Sequence, residues 1–116
     1  MRSGREGEDL ACSLLEENSL RVLARNVRYP NGEIDIVAED GATIVFVEVK
    51  RRKDARLGTP AEAVTPRKRA RVIRAARRWI VENPASRARS VRFDVVAIQD
   101  EPVRVEWLKG AFDASR

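Results

Sequence analysis

Residues 32–51 read Gly-Glu-Ile-Asp-Ile-Val-Ala-Glu-Asp-Gly-Ala-Thr-Ile-Val-Phe-Val-Glu-Val-Lys-Arg, and this stretch decides the fold. Two runs rich in β-branched residues, 32–39 and 43–51, flank Asp40-Gly41, a dipeptide typical of two-residue hairpin turns. A turn at that dipeptide places Asp35 opposite Phe46. The stretch therefore predicts two antiparallel strands joined by a tight turn.

This hairpin gathers three charged side chains. Because side chains alternate along a strand, Phe46, Glu48 and Lys50 share one face, and Asp35 lies on that face, diagonal to Glu48. Charges on apolar strands are costly to desolvate unless they pair or bind a ligand. Two carboxylates suit a hard cation such as Mg²⁺, and a lysine can activate water or neutralise a phosphate. The pattern indicates a metal-dependent phosphodiesterase site, with an exposed ion pair as the alternative.

The composition excludes most other catalytic sites. The chain has no histidine, which excludes Ser/His and Cys/His relays and histidine-based zinc sites. Cys12 is the only cysteine, which excludes intramolecular disulfides and thiolate zinc sites and favours a reducing compartment. No apolar run approaches the ~20 residues that span a bilayer, and the N-terminus lacks an apolar signal-peptide core. We expect a cytoplasmic protein that does not enter the membrane.

The 116 residues, 43% of them hydrophobic, are enough for one globular domain with a modest core. We assign residues 1–110 to that domain and expect residues 111–116 to form a frayed tail. Helices are predicted from about Ser3 to Asn18 and over 66–82, and further strands over 20–29, 91–98 and 103–108. The order α-β-β-β-α-β-β predicts an α/β fold in which helices flank a central mixed sheet.

Positive charge is concentrated in one part of the chain. The net charge is +5, but residues 50–92 carry 15 Lys or Arg against three acidic residues, a balance of +12. A segment this basic is typical of a nucleic-acid-binding surface.

The helix predicted over 66–82 supplies much of this charge. Thr65 can cap its N-terminus, and Pro66 suits its first position. Four arginines form one ridge, which we expect opposite the buried stripe: Arg67, Arg71, Arg74 and Arg78. Like charges at i,i+4 repel, so the ridge favours phosphate contacts over a merely solvated face. Lys68 falls beside the apolar stripe and is expected to point towards the sheet.

The element order, with a hairpin that carries Asp35-x(12)-Glu48-x-Lys50, resembles the restriction-endonuclease-like fold of the PD-(D/E)xK nucleases. More closely, the chain resembles the YraN family of bacterial proteins, which are similar in turn to archaeal Holliday-junction resolvases. The resemblance runs from Gly4 to about Ile98. It rests on the segments 4–8 (GREGE), 23–26 (LARN), 32–35 (GEID), 46–52 (FVEVKRR), 58–64 (GTPAEAV) and 92–95 (RFDV), together with Lys68.

The resemblance implies an active site made of Glu8, Asp35, Glu48 and Lys50. Asp35 and Glu48 would hold Mg²⁺ or Mn²⁺, and the Val49 carbonyl is a candidate for a further ligand. Glu8 would bind or orient a second metal ion or a water. From its sequence position alone, Glu8 is explained by a favourable interaction with the helix dipole.

The expected activity is metal-dependent cleavage of DNA, including branched or junction DNA. Arg52, Lys68 and the arginine ridge would hold the DNA backbone. The alternative is a non-catalytic nucleic-acid-binding module on the same fold, and a structural or partner-binding protein is a third hypothesis. The sequence leaves open RNA as the substrate and a homodimer as the assembly. Asp94 is kept outside the site, as a partner of Arg92 or Arg51.

Overall fold

The fold is described by a computed structural model that covers residues 2–54, 56 and 64–114, with side chains from residue 5 onwards. Most of the 58–64 segment, quoted for the resemblance, lies outside these residues. The elements are α1 (Arg2–Glu17), β1 (Arg21–Tyr29), β2 (Gly32–Asp40), β3 (Thr43–Arg52), α2 (Pro66–Glu82), β4 (Val91–Gln99) and β5 (Arg104–Phe112). A single 3-10 turn at Pro84–Ser86 follows α2. The predicted order of helices and strands is confirmed.

The five strands form one sheet in the order β1-β2-β3-β4-β5. Neighbouring strands are antiparallel except β3 and β4, which are parallel and joined through α2. On one face, Ala11 and Leu15 of α1 pack against the sheet. On the other face, Val72 and Ala76 of α2 pack around Phe46. The predicted α/β class, with helices flanking a mixed sheet, is confirmed.

The turn of the β2–β3 hairpin lies one residue later than the sequence predicted, which shifts the strand pairing by two residues. Asp40 pairs with Thr43 and Val37 with Phe46, so the turn is Gly41-Ala42 and not Asp40-Gly41. Gly41 has φ +58°, the left-handed conformation that glycine adopts without strain at the first position of such a turn. Because the pairing shifts by two residues, every side chain keeps its face. When this register is extended by one pair, Asp35 lies opposite Glu48 and not diagonal to it.

The turn between β1 and β2 packs directly against α2. A Cβ atom added to Gly32 would lie 2.2 Å from the carbonyl oxygen of Arg71 and 3.1 Å from the amide nitrogen of Ala75. Only glycine permits this approach of two backbones. The contact fixes Glu33, the next residue, beneath the N-terminal half of α2.

The C-terminal strand extends beyond the predicted end of the domain. β5 continues to Phe112, whose ring stacks on Phe93 of β4 with centroids 5.1 Å apart. Residues 111 and 112 thus belong to the sheet, and the prediction of a frayed tail starting at 111 is wrong for them. The stacking of Phe112 on Phe93, on the face of the sheet that α2 covers, holds this end of the chain in place. Neither described helix is long and apolar enough to cross a lipid bilayer.

Candidate functional site

Asp35 and Glu48 meet where the regular pairing of β2 with β3 ends. That pairing runs from Asp40–Thr43 to Ile36–Val47, and Asp35 and Glu48 are next on their strands. Here the Asp35 side chain takes the place of a backbone partner, since its Oδ2 accepts a hydrogen bond from the Val49 amide at 2.8 Å. Val49 thus contacts Asp35 through its amide. The backbone thereby orients the Asp35 carboxylate beside Glu48.

Glu48 is a buried carboxyl group with an unsatisfied oxygen. The residue is 3% exposed, and its Oε1 is buried and receives no hydrogen bond from any described residue. Burial raises the pKa of Glu48 to about 8, the Asp35 charge adds to the increase, and Lys68 opposes it. The site therefore disfavours the ionised form of Glu48, and a bound cation would stabilise it.

Lys68 reaches down from α2 to the carboxylates, which confirms that it points towards the sheet. Its Nζ lies 3.1 Å from Glu33 Oε2 and 3.5 Å from Glu48 Oε2. Burial lowers the pKa of Lys68, but the neighbouring carboxylates outweigh burial, so the pKa is raised overall. Lys68 thus forms ion pairs with Glu33 and Glu48, which together with Asp35 are called the carboxylate cluster below.

Glu33 is a member of the cluster that the sequence analysis did not single out. The hydrogen bond from Lys68 lowers the pKa of Glu33, so Glu33 stays ionised. Its second oxygen, Oε1, lies 3.6 Å from an Arg71 nitrogen. The available signal was its position two residues before Asp35 in the Gly-Glu-Ile-Asp segment.

Lys50 lies on β3 two residues beyond Glu48 and is half-buried. Its neighbour across the parallel pair is Ala97 of β4. In the part of the chain that the structure describes, Lys50 forms no ion pair with a carboxylate.

Glu8 is connected to this region through Asn26. Glu8 Oε1 accepts a hydrogen bond from Asn26 Nδ2 at 2.9 Å, and Arg25 lies 3.6 Å from the same oxygen. Asn26, with a left-handed φ of 53°, lies between Arg25 and Val27, which pair with Ile36 and Ile34 on either side of Asp35. However, the described residues contain no group of three metal-binding side chains. The structure does not bring Glu8 into a three-carboxylate cluster with Asp35 and Glu48.

The arginine ridge of α2 lies beside the β1–β2 turn, with Arg67, Arg74 and Arg78 exposed and Arg71 half-buried. Arg71 lies beside Glu33, and Arg74 Nε donates a hydrogen bond to the Asn31 carbonyl at 3.2 Å. The cause is the close contact at Gly32, which brings the turn against this side of the helix. Periodicity along the helix could not reveal that neighbour.

The remaining basic residues differ in exposure. The Arg78 guanidinium lies 4.8 Å from the centre of the Tyr29 ring and forms an i,i+4 ion pair with Glu82. Arg67 is exposed at the start of the helix. Arg52, at the end of β3, is half-buried. Three of the four ridge arginines, Arg71, Arg74 and Arg78, thus contact protein groups.

Comparison with known proteins supports one family assignment. Residues 7–98 match the model of the uncharacterised protein family UPF0102. A UPF0102 protein of Frankia alni is 49% identical over 112 residues, covering 94% of this chain and 92% of the relative. One from Symbiobacterium thermophilum is 42% identical over 116 residues, covering 97% and 98%, respectively. The chain belongs to the UPF0102 family, the YraN family that the sequence motifs resemble.

Proposed function

We propose that this protein is a metal-dependent nuclease with a restriction-endonuclease-like fold, acting on phosphodiester bonds of DNA. One observation carries the proposal: Glu48 is 3% exposed, sits beside the Asp35 carboxylate, and has a buried oxygen that no described donor satisfies. A buried carboxyl group next to the half-buried Asp35 carboxylate is unfavourable unless a proton or cation lies between the two.

The donor set fits Mg²⁺ or Mn²⁺. Mg²⁺ is commonly held by one or two carboxylates together with water and substrate phosphate, so Asp35 and Glu48 suffice without a third carboxylate. Hard oxygen donors match such ions better than they match Zn²⁺, and the chain has no histidine. A bound cation would withdraw charge from the phosphoryl oxygens and make water more acidic.

The other side chains have roles that follow from their positions. Lys50 would orient the attacking water or neutralise charge on the phosphate, because it lies on the same face as Glu48. Glu8, which accepts a hydrogen bond from Asn26, would bind or orient a second metal ion or a water. Arg52 and the exposed arginines of α2 would hold the DNA backbone.

The metal site is tested by thermal unfolding with and without Mg²⁺ or Mn²⁺. An ion at 100 times its Kd stabilises the folded state by about 2.7 kcal/mol, which corresponds to a Tm rise on the order of 10 °C. We expect Asp35→Asn and Glu48→Gln each to abolish this rise. The matched control is Glu39→Gln, a carboxylate at the far end of β2 that binds Arg89. Wild-type metal shifts in both site variants would exclude this site.

The activity itself is tested by incubating the protein with single-stranded, duplex, flap and four-way DNA and with structured RNA. We expect cleavage only when Mg²⁺ or Mn²⁺ is present, and none by Asp35→Asn. Binding without cleavage of any substrate would favour the nucleic-acid-binding module instead.

The arginine contacts are tested by the salt dependence of DNA binding. The double variant Arg67→Ala and Arg78→Ala should weaken binding to all sequences alike. Each lost phosphate contact should flatten the slope of log K against log salt by about 0.9. The control double variant, Arg21→Ala and Arg104→Ala, removes equal charge from the two edge strands. If both double variants change the slope equally, the effect is one of net charge and not of the α2 surface.

A further inference from the structure

Glu33 and Lys68 form a pair whose arrangement the proposed chemistry does not yet explain. The Lys68 ammonium has two carboxylates within reach, and it lies nearer to Glu33, at 3.1 Å, than to Glu48, at 3.5 Å. The first contact is a hydrogen bond, whereas the second is a longer ion pair. The lysine is thus held beside Glu48 and not on it.

The position of Glu33 is itself fixed from two directions. The backbone contact at Gly32 holds the preceding residue against the Arg71 carbonyl, where no larger side chain fits. Arg71 also lies 3.6 Å from the second Glu33 oxygen. A carboxylate anchored in this way is a stationary acceptor for a lysine that comes from the neighbouring helix.

We propose that Glu33 is a positioning residue that acts through Lys68 and keeps its ammonium from occupying the cation site at Glu48. The inference rests on the proposed function, since it assumes that a divalent ion binds at Asp35 and Glu48. A lysine that moved fully onto Glu48 would compete with that ion for the carboxylate oxygens. Glu33 gives the ammonium a second acceptor, so the ion binds without leaving a half-buried lysine unpaired.

This arrangement predicts coupling between Glu33 and Lys68 in metal affinity. Glu33→Gln removes the charged acceptor, so Lys68 transfers to Glu48 and Mn²⁺ binding weakens. In the Lys68→Met background no ammonium remains to transfer, and Glu33→Gln loses this effect. A direct electrostatic contribution of Glu33 would instead weaken Mn²⁺ binding by the same factor in both backgrounds.

The experiment measures Mn²⁺ Kd by calorimetry at one fixed pH for wild type, Glu33→Gln, Lys68→Met and the double variant. We expect the loss of affinity caused by Glu33→Gln to be at least about fivefold larger in the wild-type background than in the Lys68→Met background. A smaller ratio overturns the role of Glu33. Glu39→Gln, on the same strand, should leave the Kd unchanged.

The two proposals fail in different ways. If wild type binds no Mn²⁺, both the metal site and the role of Glu33 are overturned. If wild type binds Mn²⁺ and the two backgrounds respond equally, only the role of Glu33 is overturned. Thermal unfolding in EDTA shows whether any variant loses affinity merely because its fold is damaged, and a Tm within a few degrees of wild type is expected for each.

Discussion

Replacing Lys50 with methionine is expected to slow metal-dependent DNA cleavage by at least ~10²-fold, the low end for an acid-base or electrostatic group. Methionine keeps the reach and packing of the side chain but removes the ammonium. Because Lys50 is not engaged by a described carboxylate, its loss should leave the Asp35–Glu48 pair intact. Metal binding should persist or strengthen, since a nearby positive charge is removed. Single-turnover rates and substrate Kd separate the effect on chemistry from binding.

Lys53→Met is the matched control for this substitution. Lys53 follows β3 closely in sequence and is exposed, so its replacement removes equal charge outside the strand face that carries Glu48. We expect the cleavage rate to change by less than roughly threefold, because salt screens the charge of an exposed lysine. Equal losses in the two variants would show that Lys50 acts only through net charge. A fall in affinity without a fall in rate would favour the binding module.

The pairing of Asp35 with Glu48 could be predicted from the sequence because it depends on the parity of strand positions. Asp35, Glu48 and Lys50 keep their faces under any register shift of two residues, so the misplaced turn changed only the distance along the strand. The choice between Asp40-Gly41 and Gly41-Ala42 depends on which residue takes the positive φ, and both turns contain Gly41. Local sequence preference does not distinguish them.

The contacts of Glu33 and of the arginine ridge could not be predicted in the same way. Both depend on the side of α2 against which the β1–β2 turn packs, and that is decided by the backbone contact at Gly32. Helical periodicity places Lys68 at the edge of the apolar stripe, which proved sufficient to predict its direction. It does not specify which residue of the sheet or of the β1–β2 turn contacts each charged side chain of α2.

Asp94 shows how a buried charge can be structural. Asp94 is 0% exposed and lies beside the irregular pairing between β4 and β5. Its two oxygens accept hydrogen bonds from Arg92 at 2.9 and 3.0 Å, from Trp107 Nε1 at 2.9 Å and from the Gly110 amide at 2.9 Å. Of the two partners proposed from the sequence, Arg92 is correct. Unlike Glu48, this carboxylate is fully satisfied by protein donors, so it has no need of a cation.

Asp94→Ala is therefore expected to destabilise the fold by about 3–5 kcal/mol, the usual effect of breaking a buried charged pair. The substitution leaves the Trp107 and Gly110 donors without their acceptor and takes the buried partner from Arg92. Such a loss is a large part of the roughly 5–15 kcal/mol that typically stabilises a domain of this size. Urea unfolding measures it, and Asp94→Asn, which retains one acceptor oxygen, should fall between Asp94→Ala and wild type.

Asp40→Ala is the matched control because Asp40 is the second carboxylate bound to Arg92, at 3.1 Å, but is more exposed. An ion pair at such a site contributes about 0–1 kcal/mol, so this variant should unfold at nearly the same urea concentration as wild type. If Asp94→Ala is no more destabilising than Asp40→Ala, burial does not strengthen the Asp94 contacts. In that case Asp94 would be free to serve another role. The metal-induced Tm rise, measured in the same variants, should survive both substitutions, since the described hydrogen bonds and ion pairs of Asp94 and Asp40 do not involve Asp35 or Glu48.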